Sequence, residues 1–159
     1  MTRARFDVPL DQRYFEHYVP GDVFEFGAVE VTEAEVVEFA RRFDPQDIHA
    51  DAAAAAQGPF GGLIASGWHT AALMMRLVVE HYLSSVASLA SPGIDELRWA
   101  KPVRPGDRLG LRVTVLAAER SRTKPDRGMV RSLFEVVNQR GDVVMRMTAM
   151  NLLKCRPSA

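Results

Sequence analysis

Hydrophobic and polar residues alternate with a period of two over residues 23–31 and 108–115. That period predicts strands with one buried face. Two further segments, residues 129–139 and 143–154, have the composition of strands and are separated by a turn at residues 140–142. Consecutive strands joined by turns predict an antiparallel sheet that occupies the second half of the chain.

Two segments have helical periodicity instead. Thr32 and Glu35 form a capping box at the start of the first, and Pro45 predicts its end two residues earlier. The second segment begins at Gly67, runs to about Leu83 and has almost no polar face. Because it is apolar on nearly every side, it predicts a helix that is buried nearly all round.

One buried helix and a sheet of consecutive hairpins predict an α+β domain in which the antiparallel sheet wraps around a long central helix. Residues 1–18 have no strong period and are predicted to form an N-terminal arm that ends at a turn. A short alanine-rich helix is predicted over residues 51–57, followed by a loop at residues 58–62. No second domain is visible, so residues 1–159 are predicted to be a single domain.

The composition of the chain limits which classes of binding partner and which cellular location are expected. Twenty basic and twenty acidic residues cancel, which removes the electrostatic argument for nucleic acid or a membrane surface as the main partner. The single cysteine, Cys155, has no disulfide partner and no zinc-ligand spacing, so we predict a reducing cytoplasm and no metal site. The N-terminal residues lack the apolar run of a signal peptide, and no segment approaches the roughly 20 apolar residues of a membrane span.

An acid and a histidine, Asp44 and His49, stand five residues apart in the segment RRFDPQDIHAD, where the first helical pattern breaks. Histidine titrates near neutral pH, and a nearby carboxylate can orient its ring or hold the same water. Taken alone, an Asp before Pro is equally typical of a turn, and a loop histidine is usually solvated. The pair is therefore a catalytic hypothesis that needs a second feature.

The segment FGGLIASGWHT supplies that feature, because it joins a small-residue loop to the start of the buried helix. The first N–H groups of a helix have no intrahelical partner and lie at the positive end of the helix dipole. A carbonyl oxygen that gains negative charge can therefore be stabilised near Gly67. The alternative is that Gly61, Gly62, Ser66 and Gly67 only let the loop pack tightly and cap the helix.

Together, DPQDIHAD and FGGLIASGWHT resemble the MaoC-like dehydratases, a hot-dog-fold family that includes the (R)-specific enoyl-CoA hydratases. The family motif is Asp-x-Asn-Pro-x-His with a later Ala-His-Gly at the head of the hot-dog helix, and the resemblance covers roughly residues 20–154. It implies a hot-dog fold, a catalytic pair at Asp44 and His49, and a Gly67 N–H that binds the thioester carbonyl.

The same resemblance implies an enzyme that adds water to the double bond of a trans-2-enoyl-CoA or related thioester, or catalyses the reverse dehydration. The acyl-CoA is then the substrate, and no cofactor is implied. A homodimer or larger even assembly, with sites near the subunit interface, is implied as well. Two other functions remain open, a hot-dog acyl-CoA thioesterase and a non-catalytic acyl-CoA-binding protein.

The sequence departs from the family motif at four positions. Gln46 replaces the usual Asn, Asp47 replaces Pro, Ser66 replaces His, and Met75 stands where some hydratases have a helix serine. Asp47 adds a carboxylate beside the pair. These departures leave the acyl specificity open.

Further substrate contacts are predicted at five residues, namely Gly62, Ser66, Trp68, Arg122 and Lys124. Arg122 and Lys124 belong to a basic loop that suits the phosphates of CoA, although a solvated hairpin tip is the more ordinary interpretation. For Trp68, and also for Trp99, the alternative is a core or dimer contact.

Overall fold

The computed structural model describes residues 3–158, so the first two residues of the predicted arm lie outside the described part. The strands are β1 (Val23–Glu30), β2 (Ser88–Ala90), β3 (Ile94–Trp99), β4 (Arg108–Arg120), β5 (Arg127–Val137) and β6 (Val143–Lys154). The helices are α1 (Glu33–Phe43), α2 (Asp47–Ala50), α3 (Ala52–Ala56) and α4 (Gly67–Leu77), which continues as a π-helical turn (Val78–Tyr82).

The six strands form one antiparallel sheet in the order β1-β4-β5-β6-β2, and β3 also pairs with β6. The alternating residues of β4 face inward as predicted, and they are all buried: Leu109, Leu111, Val113 and Val115. The short strand β2 was not predicted, because three residues are too few to show a period.

The sheet wraps around α4 and its π-helical turn, sixteen residues from Gly67 to Tyr82. Met74, Leu77 and Tyr82 are buried in the core, and the Tyr82 ring meets the Phe134 ring of β5 edge to face at 5.7 Å. The α+β hot-dog arrangement predicted from the sequence is therefore confirmed.

The prediction that this helix is buried nearly all round is wrong. Trp68, Met75 and Val79 are 59%, 42% and 53% exposed, and with the exposed Ala72 they form one stripe at helical spacing. An apolar pattern cannot distinguish a side chain in the core from one on an apolar surface. We call these four residues the α4 stripe.

The N-terminal arm packs onto the domain. Phe6 stacks on Phe24 of β1 with ring centroids 4.2 Å apart. Arg13 is only 5% exposed and donates to the carbonyl oxygens of His81 and Tyr82 at 2.9 and 2.8 Å. A cation at the carbonyl end of a helix is favourable, so these bonds hold the arm against the end of the central helix.

Every helix within residues 3–158 is too short or too polar to cross a membrane.

Candidate active site

Asp44 directly follows α1, where its backbone leaves helical geometry with φ −153° and ψ 68°. Its N–H still bonds to the carbonyl oxygen of Ala40 at 2.8 Å, so the residue closes the helix. Pro45 disfavours the helical conformation at the preceding residue, which explains why the chain turns here. The predicted helix end is confirmed. Of the predicted capping box the structure shows the Thr32 half, whose hydroxyl accepts from the Glu35 N–H at 3.2 Å.

The Asp44 carboxylate accepts two short hydrogen bonds. Gln46 Nε2 donates to Oδ1 and Ser66 Oγ donates to Oδ2, each at 2.7 Å. These bonds, that of Gln46 first, lower the pKa of Asp44 below its ordinary value because they favour the charged form. The carboxylate is therefore ionised at neutral pH, and two of the four motif departures act as its partners.

The His49 ring is buried, and its Nδ1 lies 2.7 Å from the carbonyl oxygen of Ile64. Because a carbonyl only accepts, Nδ1 carries the proton of this bond, and in the neutral ring Nε2 is then an acceptor. Nε2 lies 3.4 Å from Asp44 Oδ2, beyond the usual range of a direct hydrogen bond. A single water can contact both atoms.

The break at Pro45 predicts that the chain continues beyond α1 as an extended loop that includes His49. This prediction is wrong for His49, which lies on the one-turn helix α2. Asp47 occupies the first turn of that helix, where an acidic side chain is favourable. Its side chain is exposed and does not line the cavity described below, so the added carboxylate lies outside the site.

The start of α4 presents unused backbone donors. Ser66 is the N-cap, and its carbonyl accepts from the N–H groups of His69 and Thr70 at 2.9 and 3.1 Å. Within residues 3–158 no acceptor bonds to the N–H of Gly67 or of Trp68. These two donors lie at the positive end of the helix dipole, as the sequence predicted for Gly67.

Asp44, His49 and Gly67 line one cavity of about 390 Å³ between the start of α4 and the chain that follows β3. Thr70 and Lys101 add polar groups to the wall. The rest of the lining is apolar: Phe60, Ile64, Ala65, Trp68, Trp99, Ala100, Pro102 and Val103. An acid–histidine pair, free backbone donors and an apolar wall thus share one space, the arrangement expected of a small-molecule site.

The structure separates the predicted substrate contacts. Trp68 lines the cavity, whereas Gly62 does not. Ser66 is fully buried and gives its hydroxyl to Asp44, so it is a partner of the carboxylate and not a free contact for a ligand. Met75 is exposed on α4 and does not line the cavity.

Arg122 and Lys124 are not brought to the cavity of their own chain. They lie in the loop between β4 and β5. The first residue of β5, Arg127, pairs with Lys154, the last residue of β6, so this loop lies beside the end of β6. The cavity lies beside the start of β6, where the Ala100 N–H bonds to Val144. The 12 residues of β6 separate the two places by roughly 35 Å.

Sequence reasoning missed Trp99 as a cavity residue, because it was interpreted as a core or dimer contact. Its ring meets the Trp68 ring edge to face at 5.1 Å, and both rings line the cavity. Ile64 was missed as well, although its carbonyl fixes the tautomer of His49. Trp99 lies 32 residues from Gly67 in the chain, so no local pattern connects them.

Replacing Ser66 or Gln46 by Ala is expected to raise the pKa of Asp44 toward its ordinary value of 3.8, because each change removes one bond to the charged form. Since the folded-state pKa lies below the unfolded value, Asp44 contributes stability above pH 3.8 that is lost as the pH falls through the folded pKa. Titration of the Asp44 carboxyl carbon by NMR measures the shift. An unchanged pKa in both variants contradicts the two bonds.

Comparisons with known proteins identify the family of this chain. Residues 16–137 match the family model described as MaoC like domain. The crystal structure of a MaoC-like dehydratase from Rhodospirillum rubrum is similar with a TM-score of 0.85 and 42% identity, over 92% of this chain and 99% of that one. The R-hydratase PhaJ1 from Pseudomonas aeruginosa is similar with a TM-score of 0.70 and 27% identity, over 90% of this chain and 86% of that one.

A curated relative adds a named reaction class. The 3-hydroxyacyl-thioester dehydratase Z of Mycobacterium tuberculosis is 38% identical over 93 residues, which are 57% of this chain and 62% of that protein. The chain therefore spans less than two thirds of the length of this relative. The match of the family model to most of the chain shows that the protein belongs to the family of MaoC-like domains.

Proposed function

We propose that this protein is a hydratase or dehydratase that adds water to the C2–C3 double bond of a trans-2-enoyl thioester, or removes it from the 3-hydroxyacyl thioester. The observation that carries the proposal is that Asp44, His49 and the free Gly67 N–H line one cavity, with Asp44 Oδ2 and His49 Nε2 3.4 Å apart. The R-hydratase and the 3-hydroxyacyl-thioester dehydratase among its relatives support it.

In the hydration direction, one water lies between Asp44 Oδ2 and His49 Nε2 and donates to both. As its oxygen forms a bond to C3, one O–H bond breaks and the proton passes to the pair. The electron pair of the double bond moves to C2 and the carbonyl, giving an enolate. The pair then returns a proton to C2, which restores the thioester carbonyl and leaves the 3-hydroxyacyl product.

The start of α4 stabilises the charge that develops on the thioester oxygen. A carbonyl that accepts from the N–H groups of Gly67 and Trp68 withdraws electrons from C3, which makes that carbon electrophilic. The same two donors then hold the enolate oxygen. Since the pair and these donors supply every proton transfer and the charge stabilisation, the proposal includes no cofactor other than the thioester itself.

The test is an assay of the purified protein with trans-2-enoyl-CoAs of short and medium chain length. Hydration removes the ultraviolet absorption of the conjugated enoyl thioester without releasing thiol. A thiol-reactive dye reports the free CoA that a thioesterase releases, and tight binding without either signal indicates a binding protein. The proposal fails if no thioester in the panel is hydrated.

We propose further that two copies of this chain form a homodimer. The α4 stripe is apolar and exposed. Among the strands of residues 3–158, β3 pairs only with β6, so its other edge is open. Its Ile94 is 53% exposed. A contiguous apolar surface beside an open strand edge is typical of a subunit interface.

A cytoplasmic location stays a prediction from the cysteine content.

The double substitution Met75→Asp and Val79→Asp is expected to convert the dimer into a monomer, because it places two charges in the α4 stripe. Light scattering at micromolar concentration measures the mass of each form. Leu116→Asp is the matched control, since Leu116 is 44% exposed on β4 outside the stripe, and it should leave the dimer intact. A wild-type protein that is monomeric at this concentration contradicts the proposal.

A further inference from the structure

The Trp99 indole lies directly against Gly67. Its Nε1–H donates to the Gly67 carbonyl oxygen at 2.9 Å. A Cβ added at Gly67 would collide with the atoms of the indole ring, so this contact leaves no space for any side chain at residue 67. A residue of the edge strand β3 therefore determines which residue can begin the central helix.

The bond from Trp99 acts on the peptide group that joins Gly67 to Trp68. In a helix the carbonyl of each peptide points toward the C-terminus and its N–H toward the N-terminus. A donor at the Gly67 oxygen thus fixes the plane of this peptide while leaving the Trp68 N–H free at the helix start. It also polarises the peptide, which strengthens that N–H as a donor.

The backbone around Trp99 is anchored as well. Trp99 pairs with Met145 of β6, and the N–H groups of Ala100 and Lys101 both bond to the Val144 carbonyl at 2.8 and 3.3 Å. The ring is nevertheless 45% exposed and lines the cavity, unlike a core tryptophan. Trp99 therefore connects the rigid sheet to the helix start at the wall of the site.

We propose that Trp99 is a positioning residue, which holds the Gly67–Trp68 peptide so that the free Trp68 N–H, beside that of Gly67, faces the thioester carbonyl. The inference rests on the proposed function and deepens it. Because the effect is on groups that bind the developing oxyanion more strongly than the ground-state carbonyl, loss of the bond lowers kcat more than it raises KM.

Trp99→Phe tests the kinetic consequence, since it keeps an aromatic wall and removes the N–H. We expect kcat for enoyl-thioester hydration to fall roughly tenfold with KM changed by less than about twofold. Arg98→Gln is the matched control, because Arg98 precedes Trp99 in β3, points to the opposite side of the strand and bonds to Glu96 at 3.1 Å. It should retain the wild-type rate.

A double-mutant cycle of unfolding stability tests the contact between Trp99 and Gly67 without any substrate. Gly67→Ala is expected to lower the urea midpoint of unfolding in the wild-type background, because the new methyl displaces the indole. In a Trp99→Ala background the same change should cost nothing, since Ala is favoured over Gly in a helix. Gly27→Ala is the control for the cycle, because no atom lies within 4 Å of a Cβ added there.

The outcomes separate the two proposals. An active wild type whose Trp99→Phe variant keeps its kcat, or additive effects of Gly67→Ala and Trp99→Ala on stability, overturns the positioning role alone. A wild type that hydrates no thioester contradicts the proposed function and with it this inference. A selective loss of kcat together with non-additive stability supports Trp99 as a positioning residue.

Discussion

Asp44→Asn is expected to lower kcat for enoyl-thioester hydration by about 10²- to 10⁴-fold, the usual range for loss of an acid–base group. The amide has the shape of the carboxylate and can still accept from Ser66 Oγ, so the fold should be preserved. It lacks the negative charge that holds the water and accepts its proton. Steady-state kinetics over a range of substrate concentrations measures kcat and KM separately.

Asp47→Asn is the matched control for this change. Asp47 lies three residues further along the chain with an exposed side chain outside the cavity. It should keep a rate within about twofold of wild type, as expected for a surface carboxylate. An Asp44→Asn variant that retains more than a tenth of the wild-type rate would show that Asp44 is not part of the chemistry.

His49→Asn is expected to cost a similar factor, about 10²- to 10⁴-fold in kcat. The Asn side chain can keep a donor for the Ile64 carbonyl, which His49 Nδ1 supplies at 2.7 Å, but it has no atom in the place of Nε2. Because both groups act on one water, the double variant with Asp44→Asn should be only slightly slower than either single variant.

His81→Asn serves as the control for the histidine change, since the His81 side chain is 40% exposed and does not line the cavity. The same kinetic assay, together with a urea unfolding curve for each variant, separates a loss of chemistry from a loss of fold. Fully additive losses in the double variant would mean that the two residues act at different steps and do not share one water.

The regular elements could be predicted because their causes are local. Thr32 and Pro45 bound α1 through a cap and a steric effect on the preceding residue, and the period of two in β4 follows from one buried face. The extent of α4 was predicted, but its burial was not. The reason is that Met75 and Val79 have the same hydrophobicity whether they face the core or an exposed surface.

The acid–histidine pair could be predicted from the sequence because Asp44 and His49 lie only five residues apart, on either side of Pro45. The groups that tune the pair are more distant. Ser66 lies 22 residues from Asp44, and Ile64 lies 15 residues from His49, so only the folded chain shows that they bond. The sequence marked Ser66 as a departure from the family motif, and in the structure it donates directly to the Asp44 carboxylate.

Distance along the chain also explains which of the predicted substrate contacts lie at the cavity and which do not. Trp68 directly follows Gly67, so proximity in sequence ensures proximity in space. Arg122 and Lys124 were chosen for their charge, and charge alone does not specify which end of the sheet a hairpin loop occupies. The structure places that loop beside the last residue of β6, away from the cavity of the same chain.

The central claim is that Asp44 and His49 direct one water to C3 of an enoyl thioester whose carbonyl is held at Gly67. Incubation with a trans-2-enoyl-CoA in water enriched in oxygen-18, followed by mass spectrometry, tests it most directly. We expect one oxygen-18 atom at C3 of an intact 3-hydroxyacyl-CoA, incorporated at a rate that falls by about 10²- to 10⁴-fold when Asp44 is replaced by Asn. Label in a released carboxylic acid, or no incorporation by the wild-type protein, would contradict it.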